Sequence, residues 1–280
     1  MSSQHTDQPL VSVYIPTKNR PQMLKRAIDS VLAQTYPAVE IVISDDGSTD
    51  DTPDFVRSLQ EKHGNIVYLR EEQSKGACHA RNKAIRAANG KFITGLDDDD
   101  RFTPERIAEF VAAWHPNDSF LCAQSFNYTG KKMIPSRYYG RQISLAEIGC
   151  RNVVGNQIFA DRQRLLEHGL LFDESFPAWQ DYEFFTHIIA KLGPARRIMK
   201  RTYIQHTDHE LGRITHPSRI RAGYRLFRAK HGHLLSKSQR LSLLVNMTLL
   251  CGRGASKRIR QLCWRNGNFY DLFRIYKSRI

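Results

Sequence analysis

Three times in the first hundred residues a short β-rich apolar run gives way to a stretch with helical spacing, a fourth such run follows, and this alternation restricts the chain to few architectures. VSVYI (11–15) leads into the turn PTKNRP. QMLKRAIDSVLAQ follows, with apolar residues at 24, 27, 28, 31 and 32, the spacing of one helix face. VEIVIS (39–44) ends in DDGSTDD, after which Thr52 and Pro53 read as N-cap and first position of a helix over 53–62. IVYLR (66–70) precedes a helical ACHARNKAIRAA that Asn89-Gly90 closes, and KFITGL (91–96) reads as a fourth strand. Alternation of this kind makes a parallel sheet with helices on both faces. Ligands of such sheets bind beyond the carboxyl ends of the strands. PTKNR, DDGSTDD and the run Asp97–Asp100 all fall at those ends, so they are expected to meet.

After Pro104 the pattern is mixed. A helix is expected over 104–114, strands near 119–126 and 153–160, a helix over 179–193 stopped by Gly193-Pro194, and a further strand in RRIMKRTYIQH. At 280 residues and 41% hydrophobic content the chain can bury a sizeable core as one large domain or two smaller ones. Five cysteines lie scattered without CxxC spacing, which argues against a zinc site or a disulfide framework. MSSQHTDQPL lacks a basic segment followed by an apolar one, and LSLLVNMTLL (241–250) is far short of the ~20 residues a spanning helix needs. The expected compartment is the reducing cytoplasm.

Four consecutive aspartates repel one another, and each carboxyl rises in pKa unless a positive partner sits among them. A solvated turn ahead of a helix explains one or two acids but leaves four crowded together. A calcium loop of the EF-hand type fails on spacing: counted from Asp97, the sixth position is Phe102, not glycine, and the twelfth is Ala108, not glutamate. The remaining reading is a Mg²⁺ or Mn²⁺ site shared with a ligand's phosphates, since such ions are commonly held by one or two carboxylates plus phosphate oxygens.

At this point a resemblance becomes specific. VSVYIPTKNRPQMLKRAIDSVLAQTYPAVEIVISDDGSTDDT and GACHARNKAIRAANGKFITGLDDDDRFTP resemble the nucleotide-sugar domain of family 2 glycosyltransferases, whose motifs recur here in order. The similarity runs through NVVGNQIFADRQRL and WQDYEFF to about residue 230, and that second half most resembles the enterobacterial exopolysaccharide (colanic acid) glycosyltransferases. The resemblance implies a GT-A fold, an α/β architecture with a Rossmann-like, mostly parallel sheet flanked by helices. It implies a nucleotide-sugar-binding half over 10–105, an acceptor-binding and catalytic half of mixed structure over 106–216, and a basic helical region over 217–280. It further implies that Pro16, Thr17 and Asn19 line the nucleotide pocket and that Asp46 accepts a hydrogen bond from a uracil ring, making the donor a UDP-sugar. Arg81 would lie near the base or diphosphate, Asp99 and Asp97 would ligate Mg²⁺ or Mn²⁺, and Asp97 or Asp98 would serve the ribose. The family's base matches Asp181, although Gln180 stands where the family has an acid. Asp181 would take the proton from an acceptor hydroxyl, with inversion at the anomeric carbon. His206, His209 and Arg213 are candidates for a loop that meets the diphosphate, and Trp179 for stacking on the acceptor sugar. A catalytically silent nucleotide- or carbohydrate-binding module of the same fold is the alternative.

Charge is distributed unevenly. Residues 1–195 carry 22 Lys and Arg against 25 Asp and Glu, whereas residues 196–280 carry 20 against 3, a net +17. Ile220, Tyr224 and Phe227 recur at helical spacing with Arg221, Arg225 and Arg228 beside them. Phe269, Leu272, Phe273 and Tyr276 do the same next to Arg274, Lys277 and Arg279. Both patterns suit an anionic bilayer surface, or equally amphipathic helices packed on the rest of the chain with a solvated basic exterior. No recognised DNA- or RNA-binding motif interrupts them, so nucleic acid is not the expected partner. A lipid-linked saccharide acceptor at the cytoplasmic face of the inner membrane fits these features and gives the expected peripheral location.

Overall fold

The computed structural model describes residues 8–136, 140–155, 157–208, 216–252 and 256–277. The first half runs β1 (Val11–Thr17), α1 (Pro21–Leu32), β2 (Val39–Asp45), α2 (Thr52–Gln60), β3 (Ile66–Arg70), α3 (Ala77–Ala87) and β4 (Phe92–Gly95). The second continues with β5 (Arg101–Phe102), α4 (Arg106–Ala113), β6 (Leu121–Tyr128), β7 (Met133–Pro135), β8 (Gln142–Ile143), α5 (Leu145–Ile148), β9 (Phe159–Asp161), α6 (Arg162–Glu167), α7 (Gln180–Leu192) and β10 (Ala195–His206). Then come α8 (Pro217–His231), a 3₁₀ turn (Gly232–Leu234), α9 (Lys237–Leu250), α10 (Lys257–Arg265) and α11 (Phe269–Lys277).

One sheet takes the order β3-β2-β1-β4-β9-β6-β10-β5, with β7 against β6 and β8 against β10. β3, β2, β1 and β4 are parallel, as the alternation requires. β9 breaks the pattern by lying antiparallel to β4 and β6, and β6 and β10 are again parallel. The strand expected over 153–160 is only Phe159–Asp161, and its antiparallel insertion carries the preceding Gln157 to the carboxyl end of β4.

Strand alternation sends side chains to two cores. Val11, Val13 and Ile15 join Leu24 and Ile28 of α1 and Phe110 of α4 on one face. Tyr14 and Ile93 join Ile85 of α3 and Phe184, Phe185 and Ile188 of α7 on the other. Both faces of β1 and β2 are therefore covered, and their continuous apolar runs follow from that.

The basic C-terminal third divides in two. In α8 the stripe Ile220, Tyr224 and Phe227 is buried, not offered to a bilayer. Phe227 stacks on Tyr182 with ring centroids 4.5 Å apart, and Tyr224 and Phe227 each lie 5.8 Å from Trp179. Burying such side chains contributes roughly 1.5–3 kcal/mol each. Lys230 bridges Asp173 at 2.8 Å and Glu183 at 2.9 Å, and His231 meets Glu183 at 2.9 Å, which ties α8 to α7. α8 thus packs against α7 and the turn before it as part of the main body of the fold. The apolar spacing of a helix says that one face is covered, not by what, and here the cover lies forty residues upstream. α9, α10 and α11 enclose a separate small core of Leu241, Val245, Cys263 and Ile275. Among the described residues no helix is long and apolar enough to cross a membrane.

Candidate active site

The carboxyl ends of β1, β2 and β4 converge as their turns suggested. Asn19 takes a left-handed conformation (φ 54°), which asparagine tolerates better than most residues. Its backbone N–H donates to Ser48 Oγ at 2.8 Å, and its Oδ1 accepts from the Thr49 N–H at 2.8 Å, so the first turn is laced to the second. Asp46 accepts from Ser74 Oγ and from the backbone N–H groups of Lys75 and Gly76, which fixes the entry to α3. The Gly76 N–H lies 3.0 Å from both oxygens, so these three donors already occupy the about four acceptor sites of the carboxylate.

The four aspartates divide into two kinds. Asp98 and Asp100 point inward. Asp98 accepts from Thr17 Oγ1 at 2.8 Å and Arg20 Nη1 at 3.1 Å, and burial nevertheless pushes its carboxyl up to about 6. Asp100 accepts from Tyr203 Oη and from the His206 backbone N–H, each at 2.7 Å. Burial, then the charges of Asp97 and Asp99, push it up to about 8. Asp97 and Asp99 keep about a fifth of their side-chain surface in solvent. They are the alternate pair, but the chain turns here, with the Asp100 N–H donating to the Asp97 carbonyl at 3.0 Å, so this turn and not a strand pleat sets their side. Asp97 Oδ1 accepts from Arg81 Nη2 at 3.0 Å and from Gln157 Nε2 at 3.1 Å, while Asp99 lies 3.6 Å from Arg20. Much of the positive charge that the run demanded is therefore protein: Arg81 and Arg20.

These hard, solvent-facing oxygens suit Mg²⁺ or Mn²⁺. Among the described residues no three His, Cys, Asp or Glu side chains form a closed cage.

Arg81 connects this cluster to Asp181. Burial disfavours the Arg81 charge, but Asp181 and Asp97 outweigh burial and raise its pKa. Asp181 sits in the first turn of α7, which begins at Trp179 in a left-handed conformation (φ 70°) with no side-chain cap. Burial pushes Asp181 up to about 6 against the opposing charge of Arg81, and its Oδ1 is buried without a hydrogen-bond partner. Arg81 Nε, Trp179 Nε1 and His206 Nε2 are likewise buried and unpartnered. Buried polar atoms are rarely left so; others among the described residues, Thr94 Oγ1, Ser119 Oγ and Glu183 Oε2 among them, share that state, so it does not by itself single out the site.

Trp179 is held among Tyr182, Tyr224 and Phe227, so most of its ring belongs to the core between α7 and α8. His206 ends β10 with Nδ1 at 3.1 Å from Asp208 and its ring edge-on to Tyr128; burial and then Arg26 lower its pKa. His209 and Arg213 lie outside the described residues.

Sequence reasoning missed Arg20, Gln157 and Tyr203. Arg20 stands in the PTKNR turn and Gln157 in the GNQ stretch, but neither motif reveals a partner 60–80 residues away. One signal was available in Gly95. A Cβ there would lie 1.8 Å from Gln157 Oε1, so the glycine makes room for the side chain that holds Asp97.

Comparison with known proteins agrees with this geometry. Residues 12–179 match the model of Glycosyl transferase family 2. The chain is 35% identical over 237 residues to WcaA of Escherichia coli (strain K12), named as a colanic acid biosynthesis glycosyl transferase, covering 80% of this chain and 82% of that one. It is 32% identical over 152 residues to WfaP of Escherichia coli, a UDP-Glc:alpha-D-GlcNAc-diphosphoundecaprenol beta-1,3-glucosyltransferase, covering 52% of this chain and 60% of that one. In fold it resembles S. aureus TarS 1-349 in complex with UDP-GlcNAc, with a TM-score of 0.64, 19% identity and coverage of 96% and 91% of the two chains. It also resembles the mannosyltransferase PcManGT of Pyrobaculum calidifontis in complex with GDP-Man and Mn2+, with a TM-score of 0.59, 21% identity and coverage of 98% and 83%.

Proposed function

Since the chain belongs to glycosyl transferase family 2, we propose that it moves one sugar from a UDP-sugar to a lipid-linked saccharide in the assembly of a bacterial surface polysaccharide, with inversion. The observation that carries this reading is the line Asp97–Arg81–Asp181, which couples the solvent-facing acids at the end of β4 to a half-buried carboxylate at the start of α7. Names of relatives support the acceptor class: WcaA serves colanic acid and WfaP acts on a diphosphoundecaprenol-linked sugar. For the donor, WfaP uses UDP-Glc and TarS is complexed with UDP-GlcNAc, and a uracil N–H at Asp46 would replace one of its present donors.

In the reaction Asp181 takes the proton from an acceptor hydroxyl as that oxygen attacks the anomeric carbon. The bond from that carbon to the diphosphate oxygen breaks on the opposite face, and the nucleoside diphosphate leaves with the electron pair. Asp181 does this as an unprotonated carboxylate, and the adjacent Arg81 cation favours that form. Thr17 and Arg20 hold Asp98 in place beside the pair that faces solvent. Asp99 and Asp97 would hold Mg²⁺ or Mn²⁺, whose charge would offset that of the departing diphosphate.

The test is a panel of UDP-, GDP- and dTDP-sugars with Mn²⁺ and membrane extract as acceptor, followed by nucleoside diphosphate release. Release from a UDP-sugar that depends on the extract is the expected result. Binding of donors without turnover of any would make the chain a silent binding module and overturn the proposal.

A further inference from the structure

The helices α10 and α11 face outward with the residues that α8 buries. Their inner stripe, Cys263, Leu272 and Ile275, closes on Leu241 and Val245 of α9, and Asp271 turns inward to accept from Ser242 and from Arg274. That core leaves five aromatic rings outside: Trp264, Phe269, Tyr270, Phe273 and Tyr276 are each more than half exposed. Trp264 and Phe269 meet edge to face at 5.7 Å across the turn joining the two helices, so the rings at that turn form one patch. Scattered exposed apolar residues are ordinary, but five aromatics on two short helices are not.

The charge around the patch identifies its occupant. Residues 256–277 carry Lys257, Arg258, Arg260, Arg265, Arg274 and Lys277 against one acid, the buried and paired Asp271. Tryptophan and tyrosine prefer the headgroup layer of a bilayer, and exposed cations are drawn to anionic lipids. A second copy of the chain is a poorer fit, because pairing this face with itself sets cations against cations.

We propose that the α10–α11 face is the surface by which this protein docks on an anionic bilayer, with Trp264, Phe269, Phe273 and Tyr276 at headgroup depth and Lys257, Arg258, Arg265 and Lys277 on the lipid charges. Tyr270 is held back by the Arg151 guanidinium, which donates to its hydroxyl. A groove of about 360 Å³ opens between this face and the 142–153 segment, walled by Arg151, Val153, Phe269, Tyr270 and Arg274. The docking proposal stands on this surface, and the lipid-linked acceptor proposed above supplies its purpose.

The experiment is flotation of the full chain with vesicles of phosphatidylcholine alone or mixed with phosphatidylglycerol. The chain is expected to float with the anionic vesicles, to remain behind with the neutral ones, and to be released by salt. Lys257→Gln with Arg258→Gln should weaken partitioning by about 25-fold, the product of about 1 kcal/mol for each charge. Trp264→Ser with Phe273→Ser should lose most of the binding at unchanged melting temperature, since both rings are exposed. Wild-type flotation by either double variant, or flotation independent of anionic lipid, overturns the proposal. So does a dimer dissolved by Trp264→Ser without flotation, or salt-sensitive retention of an oligonucleotide without flotation. Sugar transfer to an acceptor in detergent is read separately: a chain that floats yet transfers nothing would sink the functional proposal and leave the docking intact.

Discussion

Helix α8 carries Gly223 where it crosses the turn that precedes Asp181. A Cβ on Gly223 would lie 2.4 Å from the Ala178 carbonyl oxygen and 3.0 Å from its carbon. Carbon and oxygen rarely approach closer than about 3.3 Å, so Gly223→Ala must separate α8 from that turn by about 1 Å. Both atoms it meets are backbone, and no side chain can swing aside. Overpacking of this kind costs about 1–3 kcal/mol, against which alanine in place of helical glycine returns up to about 1 kcal/mol. Stability alone is therefore a blunt readout. Catalysis is a sharper one, because Ala178 is three residues from Asp181 and a 1 Å misplacement can lower a rate about a hundredfold.

Gly232 supplies the control. It lies at φ −60° and ψ −27° with nothing within 4 Å of its Cβ position, so Gly232→Ala should gain about 0.4–1 kcal/mol and leave kcat unchanged. Urea unfolding and steady-state transfer on both variants are the assay. Donor KM should hold in each, since the proposed donor site lies at the ends of β1, β2 and β4. Gly223→Ala with the control's stability and full kcat would refute the claim that α8 sets the position of the base.

Other consequences follow from the same geometry. As the proposed base, Asp181 would act only when ionised, and folding pushes it up to about 6, so kcat/KM should fall tenfold for each pH unit below about pH 6; an acid limb near the ordinary aspartate value of about 4 would contradict the burial described. Gln157→Leu removes one of the two side-chain donors to Asp97 Oδ1, leaving Arg81, and should weaken Mn²⁺ binding by about tenfold in a direct titration. An unchanged Mn²⁺ affinity would reduce Gln157 to a packing role.

The first hundred residues were legible because their structure is local. Leu24, Ala27, Ile28 and Val31 of α1 are buried as their spacing required, and β3 occupies the residues read for it. The meeting of three turns followed from one rule about parallel sheets. What escaped was non-local. β9 is three residues long, and nothing in its sequence says that it enters between β4 and β6 in the opposite direction. Arg106 is fully buried, with its guanidinium over the rings of Phe102, Phe110 and Tyr203 and a 2.9 Å bond to Thr202, partners that its position in a helix does not reveal. Two basic amphipathic patterns in the C-terminal third read alike, yet α8 faces Trp179 and Tyr182 while α11 presents its rings to solvent. Periodicity finds a face, and only the tertiary structure shows whether something covers it.

Asp181→Asn tests the joining of a donor cluster and a base through Arg81 most directly, because it removes the base and nearly preserves shape. Donor affinity, measured by titration with the UDP-sugar and Mn²⁺, should stay within about twofold, while transfer in a single turnover falls by about 10²–10⁴. Transfer at the wild-type rate, or loss of donor binding along with transfer, would contradict it.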